Sequence, residues 1–156
     1  MIFPPGSRRQ MLRGNYPARI DEKGRLKIPV PFKQELEQSY GDSFCITSLD
    51  GQFVRIYPLE EWTKIEDKLA GNSTFNKTRR KFLDRANYYG QVVQWDKQGR
   101  VLIPAVLREA AGMKGNVAVL GNLTWLAVWN NERFLKEIET NPMTDEDERI
   151  LDELGL

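Results

Sequence analysis

Asp21-Glu22-Lys23-Gly24-Arg25-Leu26-Lys27-Ile28-Pro29 and Asp96-Lys97-Gln98-Gly99-Arg100-Val101-Leu102-Ile103-Pro104 are two copies of one stretch. Asp, Gly, Arg, Ile and Pro match at the same offsets, and the copies begin at residues 21 and 96, 75 positions apart. Self-similarity at a fixed spacing divides the chain into two related halves. Each copy has the chemistry of a tight turn. Aspartate bonds its own backbone two residues on, and glycine supplies a positive φ at no steric cost. Leu26 and Ile28 alternate with Arg25 and Lys27, which predicts a short strand with one apolar and one basic face. Proline then ends the strand and opens a helix.

The flanks repeat as well. Before the first copy, residues 13–20 read as a strand, and Pro17 within it favours an edge position or a bulge. After it, Phe32, Leu36 and Tyr40 stand at helical spacing, and Gly41 is a plausible stop. Strands over 43–48 and 53–57 bracket Asp50-Gly51, a strong hairpin signal. A helix over 59–69 follows, with Trp62, Ile65 and Leu69 on its inner face. Gly71-Asn72-Ser73-Thr74 is the clearest break.

A helix over 75–88 comes next, with an apolar stripe of Phe75, Phe82 and Ala86 and cations on its remaining surface. The order of the first half then returns: strand 91–95, the second turn, strand 100–103, helix to Ala111, stop at Gly112, strands 116–120 and 125–129, and a helix from Asn131. Ile56 to Trp62 aligns with Val128 to Phe134 at an offset of 72, so the second copy lacks three residues between turn and hairpin. Near the end, Ile150, Leu151 and Leu154 keep helical spacing behind a capping box in outline, Thr144 with Asp147. A docked helix and a mobile tail are both open there. The expected organisation is a flexible arm over 1–12, a first half over 13–70, a linker with a basic helix over 71–88, a second half over 89–140 and an acidic tail over 141–156.

Composition narrows the function. The 156 residues, 40% hydrophobic, suffice for one domain or two small units sharing a core. No apolar run reaches membrane-spanning length, and the N-terminal stretch does not read as a signal peptide. The single cysteine, Cys45, fits a reducing cytoplasm, and its apolar neighbours make it a structural thiol rather than a nucleophile. There is no histidine, so no His-based triad or His metal site, and one cysteine excludes a zinc cluster. No Gly-rich phosphate loop is present. Neither catalysis, a metal nor a cofactor is expected.

Residues 1–36 carry eight Lys/Arg against three acids, +5, while residues 132–156 carry three against nine, −6. That asymmetry points to a polyanionic partner for the front; a solvated surface with an acidic end is the plainer explanation. The motif itself also has two readings. Asp21 paired with Arg25 across the turn is a surface ion pair of small worth. Alternatively, the turn presents Lys23, Arg25 and Lys27 to phosphates and to the O6/N7 edge of guanine. In the second copy Gln98 and Leu102 replace Lys23 and Lys27. From that comparison the first copy is expected to be the DNA reader and the second a structural half that completes the sheet.

The ordered set of strand, Asp-x-x-Gly-Arg turn, short apolar strand, proline and helix resembles the AbrB-like, or swapped-hairpin, DNA-binding domain. Two tandem copies resemble the MraZ family of bacterial transcriptional regulators. Met11-Leu12-Arg13-Gly14, the Tyr57 to Trp62 segment and Arg79-Arg80-Lys81-Phe82 join the resemblance, which covers roughly 11–138. It implies an α+β fold, mostly β core with short helices, in which two pseudo-symmetric AbrB-like halves form a double-split β-α-β type barrel. It further implies a ring-shaped, octamer-like homo-oligomer in the cytoplasm, associated with the nucleoid. Such a protein binds double-stranded DNA at repeated promoter boxes ahead of its own operon in the division and cell-wall cluster, usually as a repressor.

Carried over to this chain, the signature falls on Asp21, Gly24 and Arg25 and on Asp96, Gly99 and Arg100. Arg25 with Lys23 is the leading DNA contact; Lys27 and Arg13 are candidates from charge. The alternative is an antitoxin-like or scaffold protein that uses the fold to bind another protein. Two halves argue against it, and the acidic tail keeps it open. Non-specific RNA binding through the basic front is a third possibility.

Overall fold

Both turns close as the Asp-x-x-Gly-Arg pattern requires. β1 (Asn15–Ile20) and β2 (Arg25–Lys27) flank the first, and β6 (Arg100–Leu102) leaves the second, which β5 (Gln91–Gln94) precedes. The computed structural model of the chain describes residues 11–71 and 76–156. Pro29 and Pro104 cap α1 (Val30–Ser39) and α4 (Ala105–Ala111) with the same backbone angles, φ −53° and ψ near 139°. Next come the hairpins β3 (Ser43–Thr47)/β4 (Val54–Pro58) and β7 (Gly115–Asn122)/β8 (Trp125–Asn130). Pro58 and Asn130 then occupy equivalent capping positions for α2 (Leu59–Ala70) and α5 (Asn131–Thr140). α3 (Lys77–Tyr89) links the halves, and α6 (Asp145–Glu153) ends the chain.

The eight strands form one antiparallel sheet in the order β5-β3-β4-β8-β7-β1-β2-β6, curled into a nearly closed barrel. Strand pairs of the two halves interleave in this order. β3 pairs with β5, β4 with β8, β1 with β7 and β2 with β6, and each of these pairs joins one half to the other. Neither half can complete this sheet alone. One core serves both: Leu26, Ile28, Phe44, Ile46 and Ile56 from the first half pack with Val101, Ile103, Leu107, Val119 and Val128 from the second. The fold is thus the expected α+β barrel of two pseudo-symmetric, swapped-hairpin halves. Pro17 is tolerated because β1 has only β7 beside it there; β2 joins it at Ile20.

One boundary differs from expectation. Residues 1–10 of the supposed arm lie outside the described residues. Its last residue, Leu12, does not belong to an arm: it is 2% exposed and exchanges two backbone hydrogen bonds with Leu123. Burial of that side chain fixes the chain one residue earlier than the expected start of the first half at Arg13. In the linker helix, Ala86 is buried and Phe82 stacks near Trp62, centroids 6.1 Å apart, as the stripe requires. Phe75 lies outside the described residues. The tail is helical, with the capping box formed in both directions between Thr144 and Asp147. No side chain of α6 is buried, so the helix forms without packing on this chain's core.

Candidate nucleic-acid interface

The two signature turns are identical in their bonding. Asp21 Oδ1 accepts from the backbone N–H groups of Lys23 and Arg25, both at 2.9 Å, and Oδ2 accepts from Arg25 Nε at 2.8 Å. Asp96 repeats this with Gln98, Arg100 and Arg100 Nε at 2.8, 3.0 and 2.7 Å. The backbone N–H of Arg25, helped by its guanidinium and by the Lys23 N–H, holds the Asp21 carboxyl below its usual pKa; a partial loss of hydration opposes this. Asp96 is lowered in the same way by Arg100 and Gln98. Both aspartates therefore stay ionised at neutral pH and grip each arginine through Nε. Neither Nη of Arg25 or Arg100 has a hydrogen-bond partner among the described residues, so each guanidinium turns a free bidentate edge outward. The ion pair and the presentation of the arginine are one device, not alternatives.

The halves brace each other's turns. Gly24 and Gly99 have φ of +83° and +75°, and a Cβ on either would collide with a side chain of the opposite half. Over Gly24 lies the guanidinium of Arg108, donating to the Lys23 carbonyl at 3.0 Å; over Gly99 lies the alkyl stem of Lys33. Lys33 and Arg108 are themselves 75 positions apart. Ile28 N–H donates to the Gly99 carbonyl and Ile103 N–H to that of Gly24.

Consequently β2 and β6 lie side by side as a two-stranded ribbon. Leu26 pairs with Val101, both fully buried, and this pair marks the pseudo-two-fold. The flanking pairs, Arg25 with Leu102 and Lys27 with Arg100, face outward. One step from the Ile20–Leu26 pair, Arg19 lies beside Lys27, and both line one shallow depression. Arg19, Lys27 and Arg100 thus form a cationic row across three strands. Exposed Lys23 and Lys97 stand on the two turns beside it.

Of the expected candidates, Arg25 and Lys27 share the outward face of β2, and exposed Lys23 stands on the turn before it. Arg13 stands apart, beyond the far end of β1, whose own span from Asn15 to Ile20 is about 17 Å at roughly 3.3 Å per residue. The unequal roles assigned to the copies rested on neighbours in sequence. In space Arg100 has Lys27 opposite it, and Arg25 and Arg100 are equally exposed, at 28% and 27%. Arg19 was missed, although its alternation with buried Ile20 marked it as outward-facing. Elsewhere, Cys45 is buried and its thiol is pushed up to about 12, chiefly by loss of hydration and then by Glu66, as suits a structural thiol. The described residues hold no group of three or more His, Cys, Asp or Glu placed to bind a metal, and no helix among them is long and apolar enough to cross a membrane.

A family model described as "MraZ protein, putative antitoxin-like" matches residues 11–85 and again residues 90–154. The chain is 54% identical over 146 residues to the transcriptional regulator MraZ of Acidobacterium capsulatum, covering 94% of this chain and 100% of that protein. It is 53% identical over 147 residues to the same regulator of Koribacter versatilis, with the same coverage, and 36% identical over 148 residues to that of Caldicellulosiruptor bescii. The family match and these relatives mark the protein as a transcription regulator, not an enzyme. The chain belongs to the MraZ family.

Proposed function

We propose that the outer face of the β2–β6 ribbon binds double-stranded DNA in its major groove. The reading rests on one observation: two identical Asp–Arg staples hold Arg25 and Arg100 on one outward face together with Lys27. A two-stranded ribbon fits the major groove, and paired Nη groups suit guanine O6/N7 or a phosphate. The targets are repeated boxes in the promoter ahead of the protein's own operon, in the division and cell-wall cluster. Occupancy there represses transcription, and the protein acts in the cytoplasm at the nucleoid. One ribbon makes few phosphate contacts, so a ring of copies adds avidity across repeated boxes. Exposed Leu135, Ile138 and Met143 on and after α5 support a protein-facing surface for that assembly. Nuclease footprinting of the DNA upstream of the reading frame tests the reading. Protection of short repeats, lost in an Arg25→Ala/Arg100→Ala protein, is expected; protection that survives the double substitution overturns it.

A further inference from the structure

The geometry assigns to Leu102 a role as a base-reading residue, contacting the C5-methyl of a thymine in the major groove. This rests on the ribbon being the DNA surface. The outward face of the ribbon has four positions, and three of them hold Arg25, Lys27 and Arg100. The fourth, Leu102, is 51% exposed and stands opposite Arg25. Its equivalent across the pseudo-two-fold is Lys27, so on this outward face the symmetry kept by the backbone and the two arginines is broken by this one pair of side chains.

The barrel does not need an outward leucine. Val101 and Ile103 on either side are fully buried and supply the inward contacts of that segment. Surrounded by cations, Leu102 offers DNA no charge and no hydrogen bond. On the floor of the major groove the apolar group available to it is the methyl of thymine. With a lysine at one corner of the face and a leucine at the other, the ribbon has one preferred orientation on the duplex.

The full chain is first used to select duplexes from a random-sequence pool. Each thymine of the selected duplex is then replaced singly by uracil, which lacks only the methyl. One replacement is expected to weaken wild-type binding about fourfold, the worth of one buried methyl-sized group. Leu102→Ala, an exposed change that leaves the core intact, binds the thymine and uracil duplexes equally at that position. Leu102→Lys also loses the preference, while its log Kd against log salt steepens by about 0.9, as for one added phosphate contact. Leu102→Ala retaining the wild-type uracil profile overturns the assignment, as does a change in oligomeric mass by light scattering in place of a change in that profile. The parent reading fails separately: Arg25→Ala/Arg100→Ala then binds the selected duplex as tightly as wild type.

Discussion

Replacing Arg100 by alanine is expected to weaken DNA binding as much as replacing Arg25, although only Arg25 has lysines around it in sequence. The magnitude follows from the bonds each guanidinium has left. Nε is committed to the aspartate at 2.8 Å in one turn and 2.7 Å in the other, leaving one Nη edge for one bidentate contact. Such a contact is worth about 1–3 kcal/mol, from about fivefold to somewhat over a hundredfold in Kd. If the partner is a phosphate, the salt dependence of log Kd also falls by about 0.9. Alanine leaves the aspartate facing DNA without its counter-charge, so Arg100→Ala/Asp96→Ala is expected to bind better than Arg100→Ala alone. Fluorescence anisotropy of labelled duplex at several salt concentrations reads both quantities, with circular dichroism confirming that each variant is folded. A folded Arg100→Ala protein with unchanged Kd and unchanged salt slope, beside a weakened Arg25→Ala, would show that the ribbon is not read as one surface.

Leu26→Ala removes a fully buried side chain at the junction of the halves and is expected to cost about 2–5 kcal/mol, on the order of 10 °C in Tm. Calorimetry should show one transition, because the halves share a core; two separated transitions would contradict the interlock. The lowered pKa values of Asp21 and Asp96 give a pH dependence of definite sign. The stability they add is complete above the unfolded carboxylate value of about 4 and is lost as pH falls through the lower folded value. The urea midpoint of an Asp21→Asn/Asp96→Asn protein should therefore vary less with pH below about 4 than that of wild type; parallel profiles would remove the staples from the stability balance.

The turns and nearly every element were legible in the sequence because their causes are local. Asp21 and Gly24 specify a turn, Leu26 and Ile28 a buried face, and Pro29 a helix start, whatever surrounds them. Partner choice is not local. A strand of three residues carries no pattern that says which edge it meets, so the pairing of β2 with β6, and the meeting of Lys27 with Arg100, could not be read off the chain. For the same reason Lys33 and Arg108 were invisible as braces: each acts on a glycine of the other half. Charge counting grouped Arg13 with Lys27 and passed over Arg19, which lies beside Lys27 in space, because net charge along a segment ignores where a strand runs. Thr144 and Asp147 announced their capping box, and yet no local signal told whether α6 would pack on the barrel.

The central claim is that DNA lies on the outer face of the ribbon, and cross-linking tests it most directly. Cys45 is 5% exposed, so a cysteine introduced by Lys27→Cys is the reactive thiol of the protein. Lys81→Cys on the basic helix α3 provides the competing cationic surface. Each is mixed with a duplex carrying a thiol-tethered base within the selected box. The account expects a disulfide cross-link from Lys27→Cys and little from Lys81→Cys; efficient capture by Lys81→Cys with none by Lys27→Cys would contradict it.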